Sequence, residues 1–234
     1  MGASLKLAIA GLGAIGLAVA KRVDAGDLPG IELAAASARD VENARRRVQD
    51  FRNPPSIVPL AELASHGDVV LESIPARHFA EVAEPAITAG RIFMPLSVGQ
   101  LLTHMHLIEK AKTTGARILV PTGALLGLDA VRAVSEGNVE SVRIITRKPP
   151  RGLKGAPHLV DNAISVDGLT EAKRVFEGSA REAIKGFPAN VNVAVALSLA
   201  GIGPDQTRIE IWADPAVDRN VHTIEVISDS PTSP

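Results

Sequence analysis

Three glycines, at positions 11, 13 and 16, sit between the apolar run Leu5–Ala10 and the helix-forming stretch Ala14–Val23. At this spacing the first glycine permits a tight turn, the second lets the backbone approach a pyrophosphate, and the third lets helix pack closely on strand. The helix N-terminus then faces the anion with unpaired N–H groups and the positive end of its dipole. Gly11, Gly13, Ala14, Ile15 and Gly16 are the candidate phosphate-binding positions. A bare Gly-x-Gly-x-x-Gly is a weak signal, and a glycine-rich structural turn is its alternative reading. Following a strand and opening a helix near the chain start, it reads as a dinucleotide site.

About 20 residues beyond such a motif, an NAD-selective site places Asp or Glu at the end of the second strand to bind the ribose 2′-hydroxyl. Here that place reads Ala36-Ser37-Ala38-Arg39-Asp40. Ser37 and Arg39 offer donors to a 2′-phosphate, so NADP should be accepted at least as well as NAD. Asp40 keeps NAD open, and the alternative is that Arg39 and Asp40 simply begin a solvated helix.

Toward the other end, His222 lies in Val221–Ile227, which reads as a strand. Alternation puts His222 on one face with Ile224 and Val226, and Thr223 and Glu225 on the other. A histidine on an apolar face is more often a core residue than a catalyst. His104 and His106 fall in an expected helix, where i and i+2 point apart, and His66 and His78 read as loop or helix-end residues, so no metal site is expected. No Gly-x-Ser-x-Gly, Walker lysine motif or zinc-ligand cluster is present.

The elements that must position these residues alternate. Leu5–Ala10, Ile31–Ala36, Asp68–Ile74, Ile92–Leu96 and Arg117–Val120 read as strands; Ala14–Val23, Asp40–Gln49, Phe79–Ala89 and Leu101–Thr114 read as helices. After Pro121 the rhythm changes, with strands at Val139–Arg147, Thr207–Ala213 and Val221–Ile227 and helices at Thr170–Lys185 and Asn190–Ala200. Gly201-x-Gly203 follows a helix and reads as its stop. The expected fold is α/β: a Rossmann doubly wound parallel sheet over residues 1–121, then a second α+β domain over 122–234.

A chain of 234 residues with a net charge of −1 offers no general electrostatic reason to bind nucleic acid or an anionic membrane. Small molecules and a second copy of itself are the expected partners. With no cysteine, disulfides, thiolate metal sites and cysteine nucleophiles are excluded, and a reducing cytoplasm fits. The start of the chain superficially resembles a secretory signal, but the three spaced glycines account for it better, and Lys6 stands where a myristoylation motif wants Ser or Thr. No apolar run approaches the ~18 residues of a membrane span.

Several segments together resemble the L-aspartate dehydrogenase family: Thr122-Gly-Ala-Leu-Leu-Gly-Leu-Asp-Ala130, Thr146-Arg-Lys-Pro-Pro150, Gly186-Phe-Pro-Ala-Asn-Val-Asn-Val193, Ile211-Trp-Ala-Asp-Pro215 and Asn220-Val-His222, with Leu96-Ser-Val-Gly99 in the first half. The resemblance implies hydride transfer from C2 of L-aspartate to NAD(P)+, giving iminoaspartate that is hydrolysed to oxaloacetate and ammonia or passed to NAD biosynthesis. It makes His222 the candidate catalytic residue, a neutral imidazole that takes and returns a proton. Thr122, Gly123 and Ala124 fall just after the last Rossmann strand, near its carboxyl end, where nicotinamide and substrate should meet; Ala124 and Asn190 are candidate cofactor contacts, and Thr122, Gly123, Lys148 and Asn220 candidate substrate contacts. Aspartate's two carboxylates need cationic or strong neutral donors, for which Arg147 and Lys148 are candidates, unless they are surface charges at a strand end. Asn220 is a candidate to orient His222 or the substrate, and Trp212 reads as a packing residue. A homodimer built on the second domain's sheet is implied as well. Family members continue beyond the position of Ser230 with a strand, a loop and a helix, roughly 35 residues by family length, and that missing layer makes a non-catalytic NAD(P)-binding descendant one alternative. A related small amino-acid dehydrogenase is another.

Overall fold

The computed structural model describes residues 4–188 and 191–229. Two compact units divide the chain, Met1–Pro121 and Thr122–Pro234.

In the first unit, β1 (Leu5–Ala10), β2 (Ile31–Ser37), β3 (Ser56–Ile57), β4 (Val69–Glu72), β5 (Ile92–Pro95) and β6 (Arg117–Ile118) form a parallel sheet in the order β3-β2-β1-β4-β5-β6. This is the Rossmann order, with its topological switch between β1 and β4. Leu7 to Ala10 are buried without alternation, as both faces of a parallel sheet are covered. Toward one side, Leu7, Ile9, Leu33 and Leu71 pack with Ala20 and Val23 of α1 (Ala14–Ala25) and Ala44 and Val48 of α2 (Val41–Val48). The remaining helices are α3 (Leu63–His66), α4 (Phe79–Thr88), α5 (Gln100–Thr103) and α6 (Met105–Thr114). Phe79 of α4 meets Phe93 of β5 edge-to-face at 5.6 Å. The helix expected over Leu101–Thr114 is broken at His104, whose backbone (φ −125°, ψ 42°) leaves the helical region.

The second unit contains α7 (Leu128–Val134), β7 (Val139–Lys148), α8 (Pro157–Asp161), β8 (Lys173–Ser179), α9 (Ala180–Gly186), α10 (Asn192–Ala200), β9 (Arg208–Ala213) and β10 (Val221–Ser228). Its mixed sheet has the order β10-β7-β9-β8, with β7 parallel to β9 and both outer pairs antiparallel. On β7 alternate residues Val142, Ile144, Thr146 and Lys148 are buried. A Cβ added at Gly201, the end of α10, would touch Val131 of α7 and Val142 of β7, so these helices lie on that inner face. Five consecutive buried residues, Ala194 to Ser198, suit a helix covered all round.

The helix expected over Thr170–Lys185 is instead two elements. Lys173–Ser179 pairs with β9, and the helix begins only at Ala180. The divider is a capping box: Ser179 Oγ accepts from the Glu182 N–H while the Glu182 carboxylate accepts from the Ser179 N–H. Gly203, with φ +88°, makes the loop after α10.

Candidate active site

The glycine turn closes as its residue types require. Gly11 has φ +94°, and a Cβ there would stand 2.7 Å from the Ser73 carbonyl oxygen. A Cβ on Gly16 would be 1.9 Å from the Gly11 carbonyl oxygen and 2.6 Å from Ser73 Oγ. A Cβ on Gly13 would meet nothing within 4 Å, so this position opens on free space. α1 has neither a side-chain cap nor an acidic residue in its first turn, which leaves its N–H groups and dipole for an anion. Ile15 is exposed beside it.

From Gly11, Leu12 and Gly13 a pocket of about 950 Å³ runs past Ser37, Ala38 and Arg39 to Leu60, Pro75 and Arg77. The Gly11 N–H donates to the Ser37 carbonyl at 2.8 Å, holding the glycine turn to the end of β2. A turn with room for a pyrophosphate, a helix N-terminus behind it and a mostly apolar pocket beyond fit a dinucleotide.

Behind the turn, the carboxyl end of β4 ties three loops together. Ser73 Oγ lies 2.8 Å from the Ala10 carbonyl and 2.9 Å from that of Gly11. Glu72, fully buried, accepts from the Ile74 N–H at 3.1 Å, the Ser97 N–H at 2.9 Å and Ser97 Oγ at 3.1 Å. Burial raises its pKa above the usual carboxylate value, while these donors pull the other way.

In the second unit His222 lies opposite Thr146 on the inner face of the sheet, its Nδ1 3.0 Å from Thr146 Oγ1. Two residues along the same face of β7 stands Lys148, buried at 5% exposure. Burial lowers the pKa of its ammonium. Burial also lowers the pKa of half-buried His222, and the Lys148 charge lowers it further. The arrangement is an imidazole, held by a hydroxyl, whose protonation is disfavoured by burial and by a buried lysine beside it.

Alternation separates the neighbouring cation. Arg147 is on the opposite face, 3.0 Å from Asp214 and stacked over Trp212 with its guanidinium 5.1 Å from the ring centre. Trp212 Nε1 donates to Glu210. Asn220 is exposed and makes no hydrogen bond to His222. Thr122, Gly123 and Ala124 form an exposed turn in which the Leu125 N–H donates to the Thr122 carbonyl and Gly123 has φ +61°. Asn190 lies outside the described residues.

Sequence reasoning named Thr146 only within a family motif, without a role, and passed over Glu72, Arg47 and Arg77. Alternation back from Lys148 would have found Thr146, and a lone acid ending the apolar run Val69–Leu71 would have marked Glu72. Nothing periodic points to Arg77, which sits in a short 3-10 turn. Among the described residues no three His, Cys, Asp or Glu side chains are placed to hold a metal ion, and no helix is long and apolar enough to cross a membrane.

Comparison with known proteins bears on both units. The C-terminal domain model of aspartate dehydrogenase matches residues 129–232, and the NAD-binding domain model of homoserine dehydrogenase matches residues 11–121. L-aspartate dehydrogenase 3 of Bordetella bronchiseptica is 52% identical over 226 residues, 97% of this chain and 83% of that protein. The L-aspartate dehydrogenase of Bradyrhizobium diazoefficiens is 50% identical over 226 residues, 97% of this chain and 80% of its own length. Among solved structures, aspartate dehydrogenase from Thermotoga maritima superposes with a TM-score of 0.70 at 26% identity, covering 96% of this chain and 85% of that one.

Proposed function

Because the chain belongs to the aspartate dehydrogenase family, we propose that it oxidises L-aspartate with NAD+ or NADP+ to iminoaspartate, which water converts to oxaloacetate and ammonia; the reverse amination uses the same groups. The observation that carries this reading is the pairing of His222 with Thr146 beside buried Lys148, within the segment matched by the aspartate dehydrogenase C-terminal model.

When bound, the dinucleotide supplies a hydride acceptor. Gly11, Gly13, Ala14, Ile15 and Gly16 would hold its pyrophosphate, and Ser37 and Arg39 its adenosine ribose. With Nδ1 engaged by Thr146, His222 Nε2 faces the substrate. It takes a proton from the substrate ammonium, and the freed nitrogen lone pair forms the C2=N bond as the C2 hydride leaves. After Nε2 releases that proton to solvent, it deprotonates the water that adds to C2, and collapse of the adduct expels ammonia. Lys148 pairs with one substrate carboxylate; Thr122, Gly123 and Asn220 supply the neutral donors for the other.

The assembly we propose is a cytoplasmic homodimer. Val221 and Ile227 are exposed on the outer face of the second sheet, the face that also carries Ile145 and Trp212. A second copy of that face would cover these apolar side chains, which stand among charged ones such as Arg143 and Glu225.

Initial rates of NAD(P)H formation with L-aspartate, D-aspartate and L-glutamate test the reading. Turnover specific for L-aspartate and lost in His222→Ala is expected. Turnover with L-glutamate alone would reassign the substrate.

A further inference from the structure

We propose that the dinucleotide pocket is built for NADP(H), with Ser37 and Arg39 at the end of β2 and Arg77 from the turn after β4 forming a 2′-phosphate subsite. The inference deepens the dinucleotide reading and rests on it. The end of β2 is where the adenosine ribose arrives in this fold, and an NAD-selective pocket needs a carboxylate there to accept from the 2′-hydroxyl. Here the position is Ser37, a donor held against the glycine turn through its carbonyl.

The two carboxylates lining the pocket are both engaged. Asp40 Oδ1 caps α2, accepting from the Asn43 N–H at 2.9 Å. Glu81 is 2.7 Å from His78 Nδ1. Three arginines line the same pocket, Arg39, Arg47 and Arg77. Arg47 is committed to the glycine turn, one terminal nitrogen donating to the Leu12 carbonyl at 2.7 Å. Arg77 uses only Nε, on His78 Nε2 at 3.1 Å, which leaves its two terminal amino groups. Arg39 is exposed and makes no ion pair or hydrogen bond among the described residues.

An isolated exposed arginine is ordinary surface. Two guanidiniums lining one pocket from separate segments, with a hydroxyl where a carboxylate would select against phosphate, are complementary to a phosphate monoester. Such an ester carries roughly −1.5 to −2 charge at pH 7, and guanidinium binds it with paired donors.

Calorimetric titration of the whole chain with NADPH, NADH, adenosine 2′,5′-bisphosphate and 5′-AMP tests this without reference to turnover. NADPH is expected to bind about tenfold or more tighter than NADH, roughly what one charge-assisted hydrogen bond supplies. The bisphosphate is expected to outbind 5′-AMP in the same sense. Arg39→Ala and Arg77→Ala should each lower the NADPH-to-NADH affinity ratio, and Ser37→Asp should invert it. Equal affinities with a ratio that neither arginine variant moves would overturn the subsite while leaving the dinucleotide reading standing, as would binding of NADH alone. A folded chain that binds neither dinucleotide would overturn both.

Discussion

The imidazole of His222 owes its chemistry to two neighbours on one strand. Its pKa lies below the ordinary 6.5 through burial first and the Lys148 charge second. Between that folded value and 6.5 the unfolded chain binds a proton that the folded chain does not. Stability from the neutral ring is therefore full above pH 6.5 and is lost as pH falls through the folded value. Lys148→Met removes the cation and leaves the burial, so histidine NMR titration should show the His222 pKa rising toward 6.5, with the acid limb of kcat/KM following it upward. A titration unmoved by the substitution would mean that the charge does not reach the ring. At this scale the chain was partly legible. Alternation put His222 with Ile224 and Val226, and the glycine spacing marked the turn. Alternation alone sets Arg147 and Lys148 on opposite faces, but that the Lys148 face is the buried one came only from the packing of α7 and α10 against β7.

Elements were readable where periodicity was long and unreadable where a local contact overrode it. Thr170–Lys185 carries a helix-like distribution of charges, yet the Ser179–Glu182 capping box starts the helix late, and antiparallel pairing with β9 takes the residues before it. Ser179→Ala should cost about 1 kcal/mol in urea unfolding, the ordinary value of an N-cap. Glu72 is the corresponding device in the first sheet. It joins the loops after β4 and β5, and β4's next residue, Ser73, braces the glycine turn. Glu72→Gln turns an amide nitrogen toward groups that donate, and should destabilise by about 1–3 kcal/mol in the same measurement. Its partner Ser97 is 25 residues distant, a pairing that no local pattern encodes.

For the molecule as a whole, the change of rhythm after Pro121 made the class legible: a parallel sheet of Rossmann order, then a mixed sheet. Assembly was not legible from patterning, because the outer face of the second sheet mixes Arg143, Glu210 and Glu225 with Ile145, Val221 and Ile227. If a second copy covers that face, light scattering should give twice the chain mass, and Ile227→Asp should shift the protein to monomer by placing a charge in the seam. The function of the molecule is tested most directly by following the hydride itself. Given L-aspartate deuterated at C2 and NADP+, the chain should deliver the label to the reduced dinucleotide, and His222→Ala should abolish that transfer. Dinucleotide binding by folded wild-type protein with no label transferred from L-aspartate would contradict the account.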